Sequence, residues 1–99
     1  MIIPTLTEKH KRQLRKLAHV LRPVVIVGDG GLTENVLKEI DGALKYHELI
    51  KIKLRAKDRA ARTELIASLL NITTAQTVQS IGHVLVLYRP GPKNKIQLI

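Results

Sequence analysis

The sequence contains no cysteine, tryptophan or phenylalanine, and its aromatic residues are two tyrosines, Tyr46 and Tyr88. Without cysteine the chain has no disulfide framework, thiolate metal site or cysteine nucleophile, which agrees with a cytoplasmic location. A protein that recognises unstacked bases uses a platform of aromatic side chains, which this chain cannot build. No apolar run is long enough to predict a membrane span. The segment MIIPTLTEKHKR lacks a charge before its apolar residues, unlike a secretory signal.

Acidic residues are also scarce. Eight Asp and Glu oppose 17 Lys and Arg, which gives a net charge of +9. Such an excess predicts a polyanionic partner. The basic residues are concentrated in segments 8–22 and 51–62, whereas acids dominate segment 29–48. The alternative interpretation is a solvated surface that only increases solubility.

The length predicts one domain, residues 1–99, with an aliphatic core. Periodicity predicts helices at about 7–20, 33–45 and 58–71, and strands at 24–27, 49–55, 75–81 and 84–88. The order α-β-α-β-α-β-β predicts an α/β fold, a mixed four-stranded sheet with packed helices. The first strand is entirely β-branched, so we expect it to be central and buried. Residues 93–99 are predicted to be a loose tail or a short edge strand.

Several local features support these helices. Predicted N-caps are Thr5 or Thr7, Thr33 and Asp58, because their side-chain oxygens can accept from the first free N–H groups. The buried stripe of the first helix is predicted to contain Leu14, Leu17, Ala18 and Leu21. On the second helix, i,i+4 ion pairs are predicted for Glu34 with Lys38 and for Asp41 with Lys45.

A glycine-rich segment, Gly28, Asp29, Gly30 and Gly31, lies between the first strand and the second helix. It is not a dinucleotide fingerprint, which would need glycine where Thr33 stands, and no Gly-Lys-Ser/Thr follows as in a P-loop. A G-x-x-G pattern remains. It is either an ordinary strand-to-helix turn or a clamp on a nucleic-acid backbone, as in KH domains. Glycines and a helix N-terminus together suit phosphate.

Signals for catalysis are missing. The four histidines have no metal-ligand spacing, and neither Ser68 nor Ser80 has a nucleophile-elbow context. We therefore predict no enzymatic activity, no metal and no cofactor. The basic first helix lacks the Trp or Phe that would anchor it in a membrane interface, so no membrane partner is expected.

The segment PVVIVGDGGLTENVLKEIDGALKYHELIKIKL, together with the basic first helix and the closing Val86-Leu87-Tyr88-Arg89, resembles the CRM domain (chloroplast RNA splicing and ribosome maturation) in its free-standing bacterial YhbY form. The resemblance runs over nearly the whole chain. It implies a fold similar to the C-terminal domain of translation initiation factor three. It also implies RNA binding, in bacteria on precursors of the large ribosomal subunit. The glycine loop is implied to contact RNA. The family often has a basic residue where Asp29 stands, and an acid there repels phosphate unless it points away.

The sequence therefore predicts a monomeric RNA-binding domain that assists assembly of the large ribosomal subunit on ribosomal RNA. Three alternatives stay open at this point: a structural ribosomal protein, a DNA-binding protein without a helix-turn-helix pattern, and a protein-interaction adaptor that uses the acidic second helix. Whether the basic residues of the second strand share a surface with the glycine loop is also open. The predicted RNA-binding residues are Gly28, Asp29, Gly30, Gly31, Lys9, Arg12, Arg15, Lys16, Lys51, Lys53 and Arg55.

Overall fold

The computed structural model describes residues 6–99. Its elements are α1 (Glu8–Ala18), β1 (Pro23–Val27), α2 (Glu34–His47), β2 (Leu49–Leu54), α3 (Arg59–Thr73), β3 (Gln76–Ile81) and β4 (Val84–Tyr88). The strands form one sheet in the order β1-β2-β4-β3. β1 and β2 are parallel, and the β2/β4 and β4/β3 pairs are antiparallel. The predicted element order and mixed four-stranded sheet are confirmed.

The sheet separates two hydrophobic clusters. On the face covered by α2 and α3, which we call the α2 face, the cluster is built around the alternate β2 residues Ile50, Ile52 and Leu54. On the opposite face, covered by α1 and called the α1 face, a smaller cluster contains Leu14 and Ala18 of the helix. Because side chains alternate along a strand, the remaining β2 residues point towards the α1 face.

α1 begins as predicted, with the Thr7 hydroxyl accepting from the backbone N–H of His10 at 3.1 Å. Thr5, the alternative cap, lies outside the described residues. The helix ends at Ala18 rather than near position 20. Leu17 was predicted to be buried, but it is 45% exposed, because only Leu14 and Ala18 point directly at the sheet. The other caps, Thr33 and Asp58, are confirmed.

The prediction of a central, buried β1 is wrong. β1 is an edge strand that pairs with β2 alone. Val25 and Val27 are buried under α2, but Val24 and Ile26 are 50% and 56% exposed. α1 packs mainly on β2 and β3, so the α1 face of β1 is left about half exposed at Val24 and Ile26.

The segment after β4 is fastened by the side chain of Glu48, at the C-terminal end of α2. Its carboxylate accepts from the backbone N–H groups of Gly91 (2.9 Å), Lys95 (3.1 Å) and Ile96 (3.0 Å). Glu48 is 1% exposed. Burial acts to raise the pKa of Glu48, but these three donors outweigh it and the pKa lies below its ordinary value. Residues 93–99 thus form a fastened tail without strand structure.

Arg89 joins the two helices of the α2 face to the end of β4. Its guanidinium donates to the Asp41 carboxylate at 2.9 Å and to the Thr73 carbonyl at 2.8 Å. The hydrogen bond from Arg89 lowers the pKa of Asp41. Asp41 also forms the predicted pair with Lys45, and Glu34 pairs with Lys38. Arg89 is therefore a structural cation.

Candidate nucleic-acid interface

An open groove of about 660 Å³ runs between α1 and the sheet. We call it the basic groove. Arg12, Arg15 and Lys16 line it from the helix, and Lys51 lines it from β2. Its apolar lining comes from Ala18 of α1, alternate residues of β4 and the end of β3, and no acidic residue contributes to it. Lys9 is exposed on α1 three residues before Arg12 and does not line the groove.

The basic residues of β2 share this surface. Lys51 and Lys53 alternate with the buried residues of β2 and so belong to the α1 face. Lys51 pairs in register with Val86 and Lys53 with Val84. The cations of α1 and those of β2 therefore lie on one side of the sheet.

Arg55 connects that surface to the glycine loop, Gly28 to Gly31. The backbone N–H of Arg55 donates to the carbonyl of Val27 at 2.9 Å, and Val27 is the residue that precedes Gly28. The loop, Arg55 and the β3–β4 turn therefore lie at the same end of the sheet, since the Leu54 N–H donates to the His83 carbonyl in that turn. The structure thus brings all the predicted RNA-binding residues except Lys9 to the basic groove, its sheet face, or the end of that face.

Ion pairing separates the basic residues into two groups. Lys38, Lys45 and Arg89 pair with acids, and Arg62 and Lys95 donate to other protein groups. By contrast, the predicted RNA-binding cations form no ion pair with any described residue; these are Lys9, Arg12, Arg15, Lys16, Lys51, Lys53 and Arg55. The same is true of five other basic residues, Lys11, Arg22, Lys57, Arg59 and Lys93. Neighbouring positive charges without acidic partners repel one another, and a bound anion relieves this repulsion. The surface therefore favours binding of an anion.

The glycine loop is a tight turn. The Gly31 N–H donates to the Gly28 carbonyl at 3.0 Å. Gly31 has φ +71°, a conformation that favours glycine. Gly28 and Gly30 differ, because a Cβ at Gly28 would touch nothing and one at Gly30 would meet Thr33 Cγ2 at 3.6 Å, an ordinary contact. Nothing inside the described chain requires glycine at these two positions, which favours close approach of an external group.

Asp29, at the tip of the loop, is exposed, and its side chain has no hydrogen bond or ion pair with a described residue. It therefore neither caps α2, a role that Thr33 fills, nor braces the turn. Its negative charge is solvated beside the N-terminus of α2.

Other kinds of site find no support in the part of the chain that the structure describes. Residues 6–99 contain no group of three or more His, Asp or Glu placed to hold a metal ion. No described helix is both long and apolar enough to cross a membrane.

Comparison with known proteins identifies the family of the chain. The model of the CRS1/YhbY (CRM) domain family matches residues 6–89. The chain belongs to the CRM domain family. A Haemophilus influenzae protein named as an RNA-binding protein is 52% identical over 94 residues, which cover 95% of each chain. A Pseudomonas aeruginosa protein named as a probable RNA-binding protein is 44% identical, over 89% of this chain and 85% of the relative.

The structural comparison points to the same family. The solution structure of a Staphylococcus aureus protein proposed to bind RNA superposes with a TM-score of 0.82 at 41% identity. The match covers 96% of this chain and 100% of the other. The predicted CRM resemblance and fold class are confirmed.

Two positions of this CRM domain were not predicted to have the roles they have. The predicted elements leave Glu48 in the connection between the second helix and the second strand, yet its side chain is buried and holds the C-terminal tail. Arg89 has no predicted role beyond the closing motif, yet it ties α2 to α3. The sequence offers only a weak signal, an acid at the C-terminal end of a helix, and the φ angle of Glu48 adds a second one in the structure. Glu48 ends a helix with φ 67°, where glycine is usual, and an acid at a helix C-terminus is unfavourable to the dipole. Both exceptions indicate a side chain required for tertiary contacts.

Proposed function

We propose that this CRM domain binds structured RNA through the basic groove, the Lys51/Lys53 surface and the glycine loop. The observation that supports this most directly is that six cations without ion-pair partners in the described chain lie around one sheet face: Arg12, Arg15, Lys16, Lys51, Lys53 and Arg55. Phosphate contacts position a protein on nucleic acid and need little base recognition. The domain acts by binding and not by catalysis.

We further propose that the RNA is ribosomal RNA in precursors of the large ribosomal subunit, where the domain assists assembly in the cytoplasm as a monomer. The support for this finer proposal is the family resemblance alone. The names of the relatives support RNA binding. Tagged protein should sediment with precursor particles, and crosslinks should map to ribosomal RNA. Sedimentation with mature subunits would favour a structural ribosomal protein. Association that survives ribonuclease would favour the adaptor that uses α2.

Salt dependence gives a first quantitative prediction. With about five phosphates contacted, the logarithm of the binding constant should fall with the logarithm of salt concentration at a slope of about −4. Between about 50 and 200 mM salt, the affinity for a ribosomal RNA fragment should therefore fall about 250-fold. Fluorescence anisotropy across a salt series measures this, and a flat dependence would contradict the phosphate-contact mechanism.

The glycine loop gives a second prediction. Gly30→Glu should fold normally, because a Cβ at Gly30 makes only an ordinary contact. It adds bulk and negative charge where phosphate approaches, so affinity should fall at least about tenfold, or about 1.4 kcal/mol. The matched control is Gly42→Glu, the same change at an exposed glycine of α2 whose Cβ would touch nothing. Equal affinity for both variants would show that the loop is an ordinary strand-to-helix turn that does not contact RNA.

Asp29→Lys is the opposite change at the same loop. Because Asp29 has no partner in the described chain, the thermal midpoint should not move. Replacing repulsion with attraction should tighten RNA binding by about three- to tenfold. A destabilised variant with unchanged affinity would show instead that Asp29 supports the turn.

A further inference from the structure

The exposed aliphatic residues of β1 are not explained by phosphate binding. Val24 and Ile26, which we call the β1 patch, are 50% and 56% exposed, whereas their neighbours Val25 and Val27 are 4% and 0% exposed. Both patch residues are β-branched, so their side chains have few rotamers and present a stiff surface. A strand face that meets only water is usually polar. The patch therefore indicates a partner with an apolar surface.

The surroundings of the β1 patch restrict the chemistry of that partner. Lys53 is the register partner of Ile26, and Lys51 is the register partner of Pro23, next to Val24. The glycine loop begins two residues after Ile26, and no acid lies on the α1 face of β1 or β2. A partner that fits must combine an apolar surface with closely spaced negative charges.

We propose that Val24 and Ile26 pack against an unpaired nucleobase of the bound RNA, while Lys51, Lys53 and the glycine loop contact the phosphates beside it. This proposal rests on the proposed function and adds a preference to it. An unpaired nucleotide offers an accessible base face within one sugar-phosphate unit of an anion, whereas a duplex hides its base faces in the stack. Aliphatic side chains replace the aromatic platform that this sequence lacks.

The test compares two RNA probes, a fully paired hairpin and the same hairpin with a bulge of unpaired nucleotides. The variant is Val24→Thr with Ile26→Thr, which keeps β-branching and strand propensity while making the patch polar. We expect it to lose about five- to tenfold in affinity for the bulged RNA and less than about twofold for the paired RNA. The slope of affinity with salt should not change, because no charge is removed.

Two control variants separate this effect from others. Ile72→Thr changes a 55% exposed isoleucine of α3, on the opposite face, and should alter neither affinity. Arg12→Ala should weaken both probes and reduce the salt slope by about one. Circular dichroism melting establishes that the patch variant is folded, as expected for exposed positions.

Each result has a definite meaning. Loss confined to the bulged RNA supports the proposal. Equal loss on both probes, or no loss on either, overturns it. No loss on either probe would indicate that the β1 patch binds another partner, such as an acidic peptide. If the unchanged protein binds neither probe, the proposed function itself fails.

Discussion

RNA affinity should fall about a hundredfold when Arg12, Arg15 and Lys16 are replaced together by alanine. These side chains line the basic groove and have no ion-pair partner in the described chain, so each is available to a phosphate. A charged hydrogen bond at an exposed site contributes about 1 kcal/mol, and three of them contribute about 3 kcal/mol. The salt slope should decrease by about two to three. Alanine is a strong helix former, so α1 should remain intact.

The matched control removes three other positive charges with Lys38→Ala, Lys45→Ala and Lys93→Ala. The first two lie on α2, across the sheet from α1, and Lys93 lies beside Lys45. Filter binding at one salt concentration should separate the two triple variants by more than tenfold. Equal affinities would show that net charge alone drives binding. A large drop in the thermal midpoint of the α1 variant would assign those residues to the fold.

The largest effect on stability is expected at Glu48. Glu48→Gln keeps the size of the side chain but puts an amide among three N–H donors that require an acceptor. Hydrogen bonds to a charged acceptor are stronger than neutral ones, so we expect a loss of about 3 kcal/mol in the free energy of unfolding at pH 7. For a domain of this size the thermal midpoint should fall by about 15 °C.

The same residue sets a pH dependence. Because folding lowers the pKa of Glu48 below its ordinary value of 4.5, its stabilisation is fully present above about pH 4.5 and is lost as the pH falls through the folded pKa. Urea unfolding between about pH 3 and 7 gives the free energy of unfolding at each pH. This free energy should fall more steeply with decreasing pH for the unchanged protein than for Glu48→Gln. Glu64→Gln, at an exposed position of α3 without an ion pair, is the control. Identical behaviour of both variants would exclude the anchoring role.

Much of this architecture was predictable because it depends on local patterns. Thr33 and Asp58 cap their helices through side-chain bonds within three residues, and the alternation of β2 fixes which side its lysines face. The family resemblance then supplied the glycine loop as an RNA contact. The loop and its neighbouring cations remain predicted contacts, and the structure adds that they lie around one sheet face.

Features that depend on partners distant in sequence were not predictable. Four β-branched residues in β1 indicate burial on both faces, but burial depends on where α1 ends, and α1 leaves Val24 and Ile26 uncovered. The role of Glu48 depends on donors more than 40 residues away. No local sequence pattern identifies the donors to Glu48 or the extent to which α1 covers the sheet.

The fastened tail also determines when the RNA-binding surface comes into existence during synthesis. The Gln13 side chain of α1 donates to the Gln97 carbonyl at 2.7 Å and accepts from the Ile99 N–H at 3.0 Å, across 84 and 86 positions of sequence. A helix of 11 residues has little stability of its own in water. α1 is therefore stabilised by these contacts with the tail and by the hydrophobic cluster on the α1 face of the sheet. Contacts of such separation form slowly. We therefore expect the basic groove to form only after the strands beneath α1 and the tail residues that contact Gln13 have been synthesised.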